Sequence, residues 1–211
     1  MLSVTEYARR AQITPRAVRA RIERGTLAAE KAGGLWWVRE DAVRSLRRPG
    51  RRLSAASFDQ LAACFDEDDR VLTPDERRRA RERVHRIHAG GLRQVQTYAR
   101  RSDMEVRAFV ASMADLDELQ TDERIVRTGV SHPSAEVYGP VLDGYVTRED
   151  AEDIELVHLL APAVDGKQNV RLRIVPEVPD VRLLHVIADL LDDRHARSRS
   201  EAERLLGEVV R

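Results

Sequence analysis

The stretch T-P-R-A-V-R-A-R-I-E-R, residues 14–24, followed by Gly25, carries its own start and stop. Thr14 can cap the free amides of a helix, Pro15 suits the first helical turn, and Gly25 can take the left-handed exit. A helix punctuated at both ends has a fixed phase, so its faces can be read directly. Val18 and Ile22, with Ala17 beside them, form an i, i+4 apolar seam. Arg16 and Arg19 project from another face with Ala20, a side chain small enough to allow close approach. Such a helix is held by its back and offered by its front.

Its neighbours fit around that seam. Ser3 stands three residues before Glu6, the spacing of a capping box, and predicts a first helix to about Arg10. Ala11-Gln12-Ile13 makes a tight turn that lets Ile13 plug the space between the two helices. Beyond Gly25, residues 27–31 and 35–38 flank Gly33-Gly34, a pair suited to the positive backbone angles of a hairpin turn. Trp36 and Trp37 point to opposite faces of such a strand, so at least one belongs to the core. Arg39-Glu40-Asp41 opens a third helix over 40–46, whose Val43 and Leu46 can close over Val18 and Ile22.

In this order, S-V-T-E-Y-A-R-R-A-Q-I-T-P-R-A-V-R-A-R-I-E-R-G-T-L and G-G-L-W-W-V-R-E-D-A-V resemble the winged helix-turn-helix of excisionase and MerR-type DNA-binding domains over about the first 48 residues. The excisionase-like version is closer. The aromatic pair around Ala20-Arg21 and the long dimerisation helix usual in MerR proteins are missing, so an effector mechanism of that kind is not implied. The resemblance implies that the second helix enters the major groove and the wing touches the backbone or minor groove. Thr14, Arg16, Arg19 and Ala20 would then face the groove, with Lys31 as the wing contact. A guanidinium can bond two acceptors on guanine or on phosphate; merely solvated charges are the alternative. Arg47-Arg48-Pro49-Gly50-Arg51-Arg52 follows as a basic linker. Arg47, Arg48, Arg51 and Arg52 either lie along DNA or form a solvated hinge.

The formal net charge of zero hides a strong asymmetry. Residues 1–52 hold thirteen Arg or Lys against five Asp or Glu, a net +8, which leaves 23 basic and 31 acidic side chains, a net −8, for the rest. The basic end suits a polyanion and the acidic remainder is repelled by one, so the two parts should meet different partners. At 211 residues and 42% apolar, the chain can bury a real core. No run approaches the roughly 18–20 apolar residues of a membrane span, and the N-terminus lacks a basic segment followed by an apolar one. A cytoplasmic protein with no membrane partner is expected. The single Cys64 excludes an internal disulfide and is expected as a small buried residue.

The expected fold class is α+β: a small winged helix-turn-helix domain over 1–48, a basic linker over 49–56, and a larger, acidic mixed α/β domain over 57–211. Leu53, Phe58, Leu61 and Phe65 suit one face of a helix over 53–65. Asp66, Glu67, Asp68 and Asp69 lack the spacing and glycine of a calcium loop and read as a solvated turn. Thr73-Pro74-Asp75-Glu76 is a complete helix start, for a helix that runs to Gly90-Gly91. Its arginines form either a second basic surface or an ion-paired face. Helices follow at 92–101 and 115–120, β-like runs at 105–110, 124–128 and 141–146, and a helical or extended segment at 154–160. The clearest strand spans 169–175, and helices at 181–191 and 200–210 close the chain. In N-V-R-L-R-I-V, Val170, Leu172 and Ile174 alternate with arginines, the pattern of a sheet with one wet face.

Catalytic signals are sparse. His85 and His88 belong to no His-x-x-x-His pair, Ser131-His132-Pro133 lacks the following glycine of a nucleophile elbow, and there is no Gly-rich phosphate loop. No catalytic residue, metal or cofactor is expected, nor an enzyme. Over about the last 90 residues, R-I-V-R-T-G-V-S-H-P, D-G-Y-V, N-V-R-L-R-I-V-P-E-V-P-D-V-R-L-L-H-V-I-A-D-L-L-D-D and a closing R-L-L helix resemble actinobacterial helix-turn-helix proteins similar to AbiEi-type antitoxins. That resemblance implies a toxin–antitoxin module with a nucleotidyltransferase-like toxin as partner. The expectation is thus a sequence-specific DNA-binding transcriptional regulator, an autorepressing antitoxin on its own double-stranded promoter, with dimerisation through the second domain. A protein-interaction adaptor and an excisionase-like architectural protein are the alternatives.

Overall fold

The computed structural model describes residues 1–11, 14–24, 27–38, 52–137, 139–164, 167–193 and 195–209. Among these the chain is α+β and divides into two units, Met1–Gly50 and Arg51–Arg211. The third helix expected over 40–46, with Val43 and Leu46, lies outside the described residues, as do Ile13, Gly25, Arg47, Arg48 and Arg51.

In the first unit, β1 (Leu2–Ser3) runs straight into α1 (Val4–Ala11), and Ser3 Oγ accepts the Glu6 amide at 3.2 Å. α2 (Pro15–Glu23) starts at Thr14, whose hydroxyl accepts the Ala17 amide at 3.2 Å. β2 (Ala29–Ala32) and β3 (Leu35–Val38) pair antiparallel and turn at Gly33 and Gly34, whose φ angles of +59° and +78° no ordinary side chain adopts cheaply. β1 lies on the other edge of β3, with Leu2 opposite Val38, so the chain before the first helix is a strand that the capping signal at Ser3 did not reveal. Val18, wholly buried, joins Leu2, Tyr7, Leu27 and Val38 in a small core, with Ile22 and Trp36 packed against it.

The second unit opens with three helices: α3 (Ala55–Phe65), α4 (Pro74–Gly90) and α5 (Leu92–Ala99). α3 thus begins inside the segment read as linker, capped by Ser54, while α4 has the full capping box of Thr73 and Glu76. Then follow β4 (Glu105–Val110), α6 (Met113–Leu119), β5 (Val126–Arg127), a 3-10 turn at Gly129–Ser131 and β6 (Leu142–Val146). The chain closes with α7 (Arg148–Val157), β7 (Ala161–Pro162), β8 (Val170–Ile174), α8 (Leu183–Leu190) and α9 (Ala196–Val209). The five strands lie in the order β5-β6-β8-β4-β7, antiparallel except for the parallel pair β6 and β8.

Two expectations are corrected here and a third is qualified. The helix before β7 spans Arg148–Val157 rather than 154–160, because Thr147 caps it and Leu159, at φ +46°, turns the chain out of helix. The acidic run is a turn with Asp66, Glu67 and Asp68 exposed, as expected, but Asp69 is buried and accepts Arg81 at 2.7 Å, and Asp68 accepts Arg182 at 2.8 Å, so it is ion-paired as well as solvated. The arginines of β8 do not face water. Strand alternation puts Asp143, Tyr145, Arg171 and Arg173 on one face of β6 and β8, and the parallel register sets Asp143 beside Arg171 and Tyr145 beside Arg173. α8 lies over this face, so Arg173 is 0% exposed. The opposite face of the sheet carries Leu142, Val146 and Leu172 against Leu116 and Leu119 of α6 and Ile154 of α7. The sheet is therefore covered by helices on both sides, and the helical layer that covers the arginines has its own apolar core, including Phe58, Leu61, Ile87, Leu184 and Leu205.

Two glycines test this packing in opposite directions. A Cβ on Gly144 of β6 would come within 2.3 Å of Ile125 Cγ2, whereas one on Gly207 of α9 would meet open space. Gly144→Ala is expected to destabilise the protein by about 1–3 kcal/mol through overpacking. Gly207→Ala is expected to stabilise it by about 0.5–1 kcal/mol through helix propensity. Urea unfolding of both variants beside the parent measures the two effects.

Candidate functional site

On α2, Arg16 and Arg19 are exposed and Val18 is wholly buried. Residues three apart on a helix share a stripe, so the two guanidiniums leave the same side of a helix whose back is fixed in the core. Thr14 is exposed, with its hydroxyl engaged by the Ala17 amide, and the half-buried Ala20 accepts Arg24 Nε at its carbonyl, 2.9 Å away. Arg21 behaves differently. It is half-buried beside Tyr7, where burial raises the hydroxyl's pKa and the Arg21 charge works against that rise. Lys31 is exposed on β2 and holds its ammonium 5.8 Å from the Trp36 ring, near the outer limit of a cation–π contact. Across the hairpin, Trp37 Nε1 donates to the Ala32 carbonyl at 3.4 Å. Arg52 is exposed at the start of the second unit.

Such an arrangement can do one thing chemically. Two planar, permanently charged forks on a rigid helix can bond paired acceptors, whether on guanine edges or on phosphates. The Gly33-Gly34 hairpin beside α2 in sequence supplies a second projecting element, with Lys31 on its first strand.

The second unit holds a constellation that sequence reasoning missed. Arg173 donates Nε to Asp143 Oδ1 at 2.7 Å and Nη2 to Asp143 Oδ2 at 3.0 Å, a bidentate fork. Its Nη1 reaches Asp189 Oδ1 at 3.0 Å and Asp192 Oδ2 at 2.8 Å. Asp189 also accepts Thr128 Oγ1 at 2.8 Å and the Tyr145 hydroxyl, which in turn accepts from Arg101. The Arg101 guanidinium is sandwiched by Phe58, 4.2 Å away, and Tyr145, 5.3 Å away. Gly129 fits against this layer only because it lacks a side chain: a Cβ there would lie 2.8 Å from Asp143 Oδ2.

The four wholly enclosed ions are Arg101, Arg173, Asp143 and Asp189, so the layer is neutral. Burial would raise the Asp189 pKa, but Arg173, Arg101 and the hydroxyls of Tyr145 and Thr128 outweigh it and hold the carboxyl below the usual range. At Asp143 burial wins over Arg173 and Arg171, and the pKa is raised. Burial, then Asp189, push the Tyr145 hydroxyl well up, so it stays a donor. These groups are closely covered: Arg101, Asp143, Arg173 and Asp189 are all buried, with the Phe58 ring against the Arg101 guanidinium. A sequence signal did exist: Asp143 and Tyr145 share one strand parity, Arg171 and Arg173 the other strand's matching parity. Oppositely charged residues alternating with apolar ones on two strands point to a paired face, not a wet one.

The histidines assemble no centre. His185, buried in α8, accepts the Arg182 amide at Nδ1, 3.2 Å away, which leaves its proton on Nε2 for Asp59 Oδ1 at 2.9 Å. His132 Nδ1 meets Ser134 Oγ at 2.7 Å, and its pKa is lowered by burial and then by Arg127. His85 and His88 are exposed, and among the described residues no three side chains gather at a geometry for a metal. Cys64 is buried, its thiol 3.8 Å from Asp69 Oδ2.

No family model, curated protein or solved structure matches the chain. Among the described residues no helix is long and apolar enough to cross a membrane.

The ion layer makes a measurable demand. Asp189→Asn keeps the shape but leaves Arg101 and Arg173 with one carboxylate fewer, and removing one partner of a buried pair costs about 3–5 kcal/mol. The Asp189 pKa is lower folded than unfolded. Its stabilising contribution is therefore full above the unfolded value near pH 4 and is lost as pH falls through the folded value. Thermal unfolding from neutral pH into that acid range is expected to show a lower melting temperature for the variant throughout and a smaller loss on acidification.

Proposed function

We propose that the protein is a sequence-specific DNA-binding transcriptional regulator whose first unit is a winged helix-turn-helix. The observation that carries this reading is the division of α2, with Val18 wholly buried and Arg16 and Arg19 exposed on the far side. An exposed charge on a helix is ordinary. Two arginines on one stripe of a short helix that is capped by Thr14, wedged by Val18 and followed by a glycine-turned hairpin make a reading edge. The net +8 of residues 1–52 supplies the long-range attraction for phosphate, and the net −8 of the remainder keeps DNA contacts on residues 1–52.

In this reading α2 enters the major groove. Arg16 and Arg19 meet base edges, Thr14 and Ala20 allow close approach, and Lys31, Arg47, Arg48, Arg51 and Arg52 bind phosphates. The likeness of the last part of the chain to AbiEi-type antitoxins extends the proposal to autorepression: the first unit holds the protein's own promoter while the acidic unit engages a nucleotidyltransferase-like toxin.

Footprinting of the full chain on the DNA upstream of its own gene, with and without the neighbouring gene product, tests this. Arg16→Ala or Arg19→Ala is expected to cost about 1–3 kcal/mol of specific binding, roughly 5- to 150-fold. Arg51→Ala with Arg52→Ala is expected to weaken all sequences alike and to flatten the salt dependence by about one unit of slope for each phosphate that is no longer neutralised. An unchanged footprint from the Arg16 and Arg19 double variant would sink the mechanism.

A further inference from the structure

In the second unit, the 3-10 turn, the segment just before β6, the first residues of β8 and the first turn of α9 border a cavity of about 340 Å³. Four valines, Val130, Val137, Val141 and Val170, make its wall apolar, and Arg171 lines it beside them. The Arg171 side chain is only 13% exposed, with Nη1 donating to Asp143 Oδ2 at 3.0 Å and Nη2 stopping 4.0 Å from Asp193, too far for a hydrogen bond. A guanidinium carries five N–H donors, so most of those on Arg171 have no protein acceptor among the described residues. Asp193, the one acidic residue of the lining, already accepts the Ser198 hydroxyl at 2.6 Å, and Arg197 adds a second positive charge at the wall.

This combination selects a ligand class. A hydrocarbon would leave the donors of Arg171, a side chain only 13% exposed, without acceptors, which is costly. A bare inorganic anion would leave four valines facing water. A metal cation would face two arginines and a carboxylate that is already engaged. The volume is at the small end of the range of about 300–1,000 Å³ for ligand sites, which limits the occupant to a compact molecule. We propose that this cavity binds a small amphipathic carboxylate, its carboxylate on Arg171 and its apolar body against the valines. The site gives the second unit a ligand-binding role that stands whether or not the first unit binds DNA. Because Asp143 holds both Arg171 and Arg173, a carboxylate that bonds Arg171 acts directly on the buried ion layer.

Calorimetric titration of the full chain with phenylacetate, phenylacetamide and acetate tests the class. Phenylacetate is expected to bind with a Kd of about 1 mM or tighter, and the amide and the bare carboxylate at least about tenfold more weakly. Gly139 lines the cavity, and a Cβ there would have only Val141 Cγ2 near it, at 4.0 Å, so the backbone admits a side chain and Gly139→Leu is the variant chosen to obstruct the cavity. That variant is expected to keep the parent's melting temperature and lose phenylacetate binding, while Arg171→Met is expected to lose the preference for carboxylate over amide. Absence of phenylacetate binding, equal binding of the amide, or undiminished binding by Gly139→Leu would each overturn the proposal. The Gly139 variant decides the matter even where Arg171→Met fails to fold.

Discussion

The fork between Arg173 and Asp143 is the contact on which the second unit depends. Two apolar cores lie on either side of the β6 and β8 strands, one under α6 and α7 and one among the helices that include α3, α5, α8 and α9. Between the helical core and the sheet stands a layer of ions in place of a third apolar surface. Taking such ions out of water is expensive, and attraction within the layer repays that cost only with good geometry and every acceptor filled. The geometry here is bidentate, and Thr128, Tyr145 and the Asp189 backbone carbonyl take up further bonds, while the buried Arg101 Nε is left without a partner among the described residues. The return is specificity of register: a slip of β8 by one residue would turn Arg171 and Arg173 into the apolar layer of Leu116, Leu119 and Ile154.

That layer also explains the tolerance for odd local geometry near it. Gly129, with φ +50°, brings the chain so close to Asp143 that any side chain would strike the carboxylate. Gly144 lets Ile125 lie directly on β6. α8 is buried all round, which a helix can be only when its polar residues are matched, and His185 and Asp189 each find a partner. The first unit works under other constraints. Its core is small, so the fixed phase of α2 rests on a few residues, Val18 above all, and on local capping at Ser3 and Thr14.

What the sequence revealed and what it hid follow from the range of the interactions. α2, the Gly33-Gly34 hairpin and the start of α4 were legible because caps, prolines and glycines act within a few residues. The core roles of Val18, Phe58, Leu61 and Ile174 were likewise legible from periodicity. β1 and β7, two residues each, were hidden because their existence depends only on the strands they pair with. The fate of Arg101 and Asp189 was hidden for a stronger reason: they are 88 positions apart. No window along the chain sees such a pair, and α8 must first be placed over the sheet.

Arginine has two opposite fates in this chain, and the difference is set by what covers the face. On α2, the seam of Val18 and Ile22 uses one side of the helix for packing and leaves Arg16 and Arg19 exposed. On β8, the same alternation of apolar and basic residues meets a second layer of helices, and Arg173 becomes one of the largest side chains buried in the protein. Arginine density alone therefore carries no information about a nucleic acid. What distinguishes the two cases is the acid nearby: β6 offers Asp143 in register with β8, whereas α2 has only Glu23, at its last position. Counter-charge in register on the neighbouring strand accompanies burial on β8, whereas Arg16 and Arg19 of α2 stay exposed.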